Sequence, residues 1–80
     1  MAEIDIPTGP IDAAPYDAIR GDNGEFAGQE IREDALLQAL EGIQLGTHDR
    51  RIVSWLAGWE PSTVATVCSW LHRTRERDAA

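Results

Sequence analysis

From Glu30 onward the apolar residues recur at helical spacing. Ile31, Ala35, Ala39 and Ile43 fall four apart, with Leu36 and Leu40 beside them on the same face, which predicts a helix over about residues 30–45. Gly42 or Gly46 is its expected stop. Thr47 then reads as the N-cap of a second helix, about 47–58, with Asp49 complementing the positive end of the dipole. Ile52, Trp55, Leu56 and Trp59 form the apolar stripe of that helix, and Gly58 marks its close. Pro61 suits the first position of a third helix, about 61–77, because its missing N–H would be unsatisfied there in any case. Val64, Val67, Cys68 and Leu71 share one face. The β-branched residues of STVATVCSW make a strand the competing reading, but the stripe runs on into the helix-compatible tail RTRER. Trp70 lies about 60° to one side of that stripe, level with Thr63 and Thr74.

The first 29 residues show no such period. Pro7, Pro10 and Pro15, with Gly9, Gly21, Gly24 and Gly28, break both helix and strand patterning. They predict an extended arm, with a helical turn near Pro15–Ile19 and a tight turn at Asp22-Asn23-Gly24-Glu25. Disorder of the isolated arm is compatible with this composition. The fold class is therefore all-α, a three-helix unit over residues 30–80 behind an extended acidic arm over residues 1–29.

Charge divides the chain the same way. Residues 1–47 carry ten acidic residues against Arg20 and Arg32, whereas residues 48–80 carry four against five arginines, within a net charge of −7. Eighty residues make one small domain, which buries only about 60% of its unfolded surface, so that stability ordinarily needs a disulfide, a metal or a partner subunit. Cys68 is the single cysteine and excludes an intrachain disulfide; a lone thiol fits a reducing cytoplasm. The start MAEIDIPTGP lacks the basic and apolar regions of a signal peptide, and no apolar run has the length of a membrane span. These features read as a soluble cytoplasmic protein with no membrane contact.

Placing Gly58 at the ninth position of a twenty-residue helix-turn-helix pattern puts Val53, Ser54, Ala57, Trp59, Val64 and Val67 where apolar or small residues are required, and the stretch locally resembles such domains. The positions facing DNA would be Glu60, Pro61, Ser62, Ala65, Thr66 and Ser69. None is basic and none is Asn or Gln, the usual readers of base edges. In this alternative Arg50, Arg51, Arg73, Arg75 and Arg77 would neutralise phosphate while Ser62 and Thr66 approach the groove. The simpler role of Arg73, Arg75 and Arg77 is to offset the negative end of the third helix. DNGEFAGQE is similar to the later half of a calcium loop, with Asn23, Gly24, Phe26 and Glu30 in place, but Ile19 and Gly21 occupy the leading ligand positions and offer no side-chain oxygen. Cys68 and His72 stand one turn apart and could share a metal with His48, yet Cys68 lies on an apolar stripe where a buried thiol is the ordinary explanation. No nucleophile elbow, phosphate-binding glycine loop or paired carboxylate is present. No cofactor, metal or catalytic residue is implied.

The block DRRIVSWLAGWEPSTVATVCSWLHRTRE resembles short, uncharacterised helical proteins of actinobacteria and their phages, in which W-L-A-G-W leads to a helix containing T-V-A and ending in arginines. The resemblance covers about the last thirty-five residues and implies a helical architecture with no known activity. Abundant alanine, and arginine in place of lysine throughout, agree with a high-GC genome of that kind. Trp55, Trp59 and Trp70 bring more aromatic area than a three-helix unit of this size can bury. With Ile52 and Leu71 they predict an interface for a protein partner, most simply a second copy of the chain, and a non-enzymatic interaction role. Binding of DNA by the third helix is the alternative.

Overall fold

A computed structural model describes residues 3–21 and 28–79, with side chains up to residue 76. The predicted turn at Asp22–Glu25, and most of the calcium-loop-like stretch, lie outside the described residues.

Three helices form as the periodicity predicts, with shifted ends: α1 at Gln29–Ala39, α2 at Thr47–Ala57 and α3 at Pro61–Ala79. Helix α1 stops well before residue 45. Leu40 takes the C-cap, and the chain leaves through Gly42 at φ +90°, a conformation that glycine adopts without a Cβ clash. Thr47 does not cap α2; Gly46 does, and Asp49 reaches back so that its Oδ2 accepts the Gly46 N–H at 2.8 Å. The carboxylate thus satisfies a backbone donor at the end where the helix dipole favours negative charge. In α3 the hydroxyls of Thr66 and Thr74 donate to the carbonyls four residues back, Ser62 and Trp70. Satisfied inside the helix, they do not divert this β-branched stretch into a strand.

Residues 3–21 do not stand away as a free arm. Strands β1 (Glu3–Ile4) and β2 (Ile19–Arg20) pair antiparallel, Glu3 opposite Arg20 and Ile4 opposite Ile19, a small sheet not foreseen by an all-α reading. The expected helical turn near Pro15 is a tight turn, with the Ala18 N–H donating to the Pro15 carbonyl at 3.2 Å. The segment docks because Ile19 and Ala18 are buried and Ile4 and Ile6 pack on the same core. It is tied down further by the Ser69 hydroxyl, which donates to the Pro7 carbonyl at 2.6 Å across 62 positions of sequence.

Helices α2 and α3 both pack chiefly on α1. The buried core is Ala18, Ile19, Ala35, Leu36, Ala39, Val53, Ala57, Val64, Ala65 and Cys68. Half of these are alanines and none is aromatic. Small side chains let helix backbones approach closely, and partly buried aliphatic residues such as Ile31, Leu37, Leu56 and Leu71 pack around them.

Candidate interaction surface

Helix α2 determines where the large apolar groups go. It does not bury the stripe that its largest residues define. Val53 and Ala57 face the core, while Ile52, Trp55 and Trp59 remain open, Trp55 at 61% and Trp59 at 50% exposure. The reason lies in the seam with α1, where polar bonds fix the rotation of α2. Gln29 Nε2 donates to the Ser54 carbonyl at 3.0 Å, the Ser54 hydroxyl donates to Glu33 Oε1 at 3.0 Å, and Arg32 Nε donates to the Ala57 carbonyl at 2.6 Å. Ala57 is the last residue of α2, so Arg32 puts positive charge on the negative end of that helix and satisfies one of its unpaired carbonyls.

With Val53, Ser54 and Ala57 turned toward α1, Ile52 and Trp55 point away from it at 100° per residue, and Trp59 lies just past the helix. Trp55 and Trp59 meet edge to face, ring centres 5.8 Å apart and planes at 84°, a favoured aromatic geometry. Trp59 is held next to the helix end by its N–H, which donates to the Leu56 carbonyl at 3.0 Å. An open apolar groove of about 340 Å³ is lined by Leu40, Ile43, Leu45, Asp49, Ile52, Val53 and Leu56. Its walls come from the end of α1, the α1–α2 loop and the face of α2 that carries Asp49, Ile52, Val53 and Leu56. Ile43, expected to continue the buried stripe of α1, lies in that loop and is more than half exposed.

The other predicted contact residues are dispersed. Trp70 is 57% exposed but stands on α3, and among the described residues the aromatic contact is between Trp55 and Trp59 alone. Leu71 is half-buried against the core. The buried side of α3 is rotated by about one residue from the predicted stripe, taking in Pro61, Ser62, Ala65 and Ser69 together with Val64 and Cys68. Four of the six positions that would face DNA are therefore covered, Ser62 at 7% exposure and Ser69 at 0%, and Thr66 spends its hydroxyl on Ser62. Ser62 cannot reach a DNA groove in this fold. Arg50 and Arg51 are exposed at the start of α2. Arg73 Nε lies 3.4 Å from the Ser69 carbonyl, and Arg75 Nη1 lies 3.4 Å from the Gln38 carbonyl near the end of α1. Both are long, weak contacts. The side chain of Arg77 is outside the described residues.

Chemically the surface is an apolar groove with one carboxylate. Cys68, fully buried, has its thiol pushed up to about 11 by desolvation, against a weaker opposing backbone hydrogen bond, so at neutral pH it is a packed thiol and not a thiolate nucleophile. Among the described residues no three His, Cys, Asp or Glu side chains are grouped to hold a metal ion, and no helix is long and apolar enough to cross a membrane. Elsewhere, Arg20 Nη2 pairs with Glu3 Oε2 at 3.0 Å across the small sheet, and its buried Nε has no hydrogen-bond partner among the described residues. Asp5, Tyr16, Asp17 and Arg20 edge an open hollow there.

Comparison with protein-family models, with curated proteins and with solved structures finds no match to this chain.

Proposed function

We propose that this chain is a non-enzymatic interaction module that engages a protein partner through the open side of α2. One observation carries the reading: the buried core holds no aromatic residue, while Ile43, Ile52, Trp55 and Trp59 are left exposed on and beside one helix. Isolated exposed apolar residues are ordinary, but a contiguous group that includes two aromatics is the composition of an interface centre. Tryptophan is also among the residues that most often dominate binding energy. Leu71 leaves the predicted interface because it is half-buried, and Trp70 leaves it because it sits on another helix.

The test is the size of the intact protein in a lysate of its native cell. Size-exclusion chromatography is expected to place the chain well above its own 8.8 kDa, and a Trp55→Ala/Trp59→Ala variant at or near monomer size. A wild-type chain that elutes as a bare monomer overturns the proposal.

A further inference from the structure

We infer that the open side of α2 docks on the outer side of α1 of a second copy, so that copies join head to tail. This rests on the interaction reading above and adds the occupant and the mode. On α2, Ile52 and Trp55 centre about 180° round the helix from Val53, Ser54 and Ala57, with His48 and Arg51 beside them. His48, Ile52, Trp55 and Trp59 follow one another at steps of four, three and four residues, the spacing by which one helix lies along another. The only acid of α2, Asp49, is turned toward the groove and holds the Gly46 N–H. The matching side is on α1. There Asp34, Leu37, Gln38 and Glu41 line an open hollow of about 400 Å³, in which half-buried Leu37 is the one apolar residue. Neither Asp34 nor Glu41 has a hydrogen-bond or ion-pair partner among the described residues. Arg75 reaches only the rim, 3.4 Å from the Gln38 carbonyl.

The two sides complement each other in charge, in hydrogen bonding and in length. Arg51, also without a partner among the described residues, meets two carboxylates. A buried indole N–H needs an acceptor, and Asp34, Gln38 and Glu41 supply acceptors around an apolar centre. At 1.5 Å per residue Arg51 to Trp59 spans about 12 Å and Asp34 to Glu41 roughly 10 Å. With Trp55 over Leu37, the guanidinium and the Trp59 indole thus reach opposite carboxylates. Pairing α2 with its own copy about a two-fold axis would instead bring like flank to like flank and set Arg51 beside Arg51. Direction then decides the kind of assembly. The hollow lies about 140° round α1 from Gln29, Arg32 and Glu33, which bond α2, whereas Ile52 and Trp55 point away from α1. One junction therefore leaves each copy with an unused side, and such a heterologous contact adds further copies instead of closing at two. The open parts of Trp55, Trp59 and Ile52 come to about 300 Å². With Arg51 and His48 at the edges and an equal area on α1, each junction buries roughly 1,000 Å², at the lower limit of a specific interface.

Sedimentation equilibrium of the purified full-length chain, from micromolar to millimolar concentration, tests this with two variants that disable opposite sides. Trp55→Ala/Trp59→Ala removes the docking side, and Asp34→Arg/Glu41→Arg reverses the charge of the receiving side. Circular dichroism verifies that both remain helical, with Trp55→Glu as the substitute should the double alanine variant unfold. The wild type is expected to grow in mass past the dimer as concentration rises, and each variant alone to associate at least about tenfold more weakly. An equimolar mixture of the two should form a heterodimer and stop there, because each pair holds one working docking side and one working receiving side. A wild type that stops at the dimer, or a mixture that stays monomeric while the wild type associates, overturns head-to-tail docking and leaves the interaction reading standing. A wild-type chain that is monomeric when pure but large in its native lysate overturns the second copy as partner and again spares that reading.

Discussion

The two sides of α2 were assembled on opposite principles. The inner side presents Val53, Ser54 and Ala57 to α1, joined by close packing and by bonds from Gln29, Arg32 and Glu33. The outer side carries Ile52, Trp55 and, just past the helix, Trp59, with far more apolar surface left open. The difference separates what holds the fold from what the fold displays. Stability resides in aliphatic and small buried groups, while the tryptophans are kept for the outside.

The sharpest way to break that contrast is to remove a modest side chain from the inside. Leu36 is 1% exposed, and Leu36→Ala is expected to cost about 2–5 kcal/mol through lost transfer energy and the cavity left behind. For a domain whose whole stability is on the order of 5–15 kcal/mol, urea titration should show a large fall in midpoint. Next in size is Ser69→Ala. It leaves the half-buried Pro7 carbonyl without its partner, at about 1 kcal/mol, and should raise proteolytic cleavage within residues 3–21 before the helices are attacked. On the outer side, Trp55→Ala removes a much larger group than either, yet its cost to the monomer is expected to be only about 0.5–1.5 kcal/mol, mainly the edge-to-face contact with Trp59. A loss larger than that of Leu36→Ala in the same titration would mean that the outer side is part of the core.

The effect of Cys68 is nil at neutral pH and emerges only in alkaline solution. Its folded value of about 11 lies above the ordinary 9.0, so the unfolded chain gives up the thiol proton first. The associated stability is complete below pH 9 and is lost as pH climbs from about 9 toward 11. Midpoints measured at pH 8 and pH 10.5 should therefore fall further for the wild type than for Cys68→Ala. Equal falls would show that the thiol is not held protonated by burial.

The existence and order of the helices were legible because each carries a sustained period and a marked start or stop, Pro61 being the clearest. The orientation of α2 was not. Periodicity weights large residues, so Ile52, Trp55, Leu56 and Trp59 outlined the apolar stripe, whereas Val53 and Ala57, which face the core, gave too faint a signal to mark the buried side. The bonds from Arg32 and Gln29 that decide the matter join positions 25 apart and leave no local trace. The same holds for Ser69 and Pro7: nothing in either neighbourhood announces the other, and a segment rich in proline and glycine reads as an arm until its scattered isoleucines find a place to bury. Of the predicted interface, the Trp55–Trp59 pair was readable from spacing alone, and the groove beside it was not, because it depends on α1 ending early at Leu40.

The bond between Ser69 and Pro7 also sets an order of events. Closing a loop across 62 residues carries an entropic cost that helix formation does not, and contacts distant in sequence form slowly. During synthesis residues 3–21 emerge before the helices, yet the Ser69 that binds Pro7 follows 62 positions later, so Ile4, Ile6 and Ile19 lack their full cover in the interval. A segment made before the helices is thus completed after them, and pulse-labelled amide exchange during refolding should find the pairing of β1 with β2 protected after the three helices.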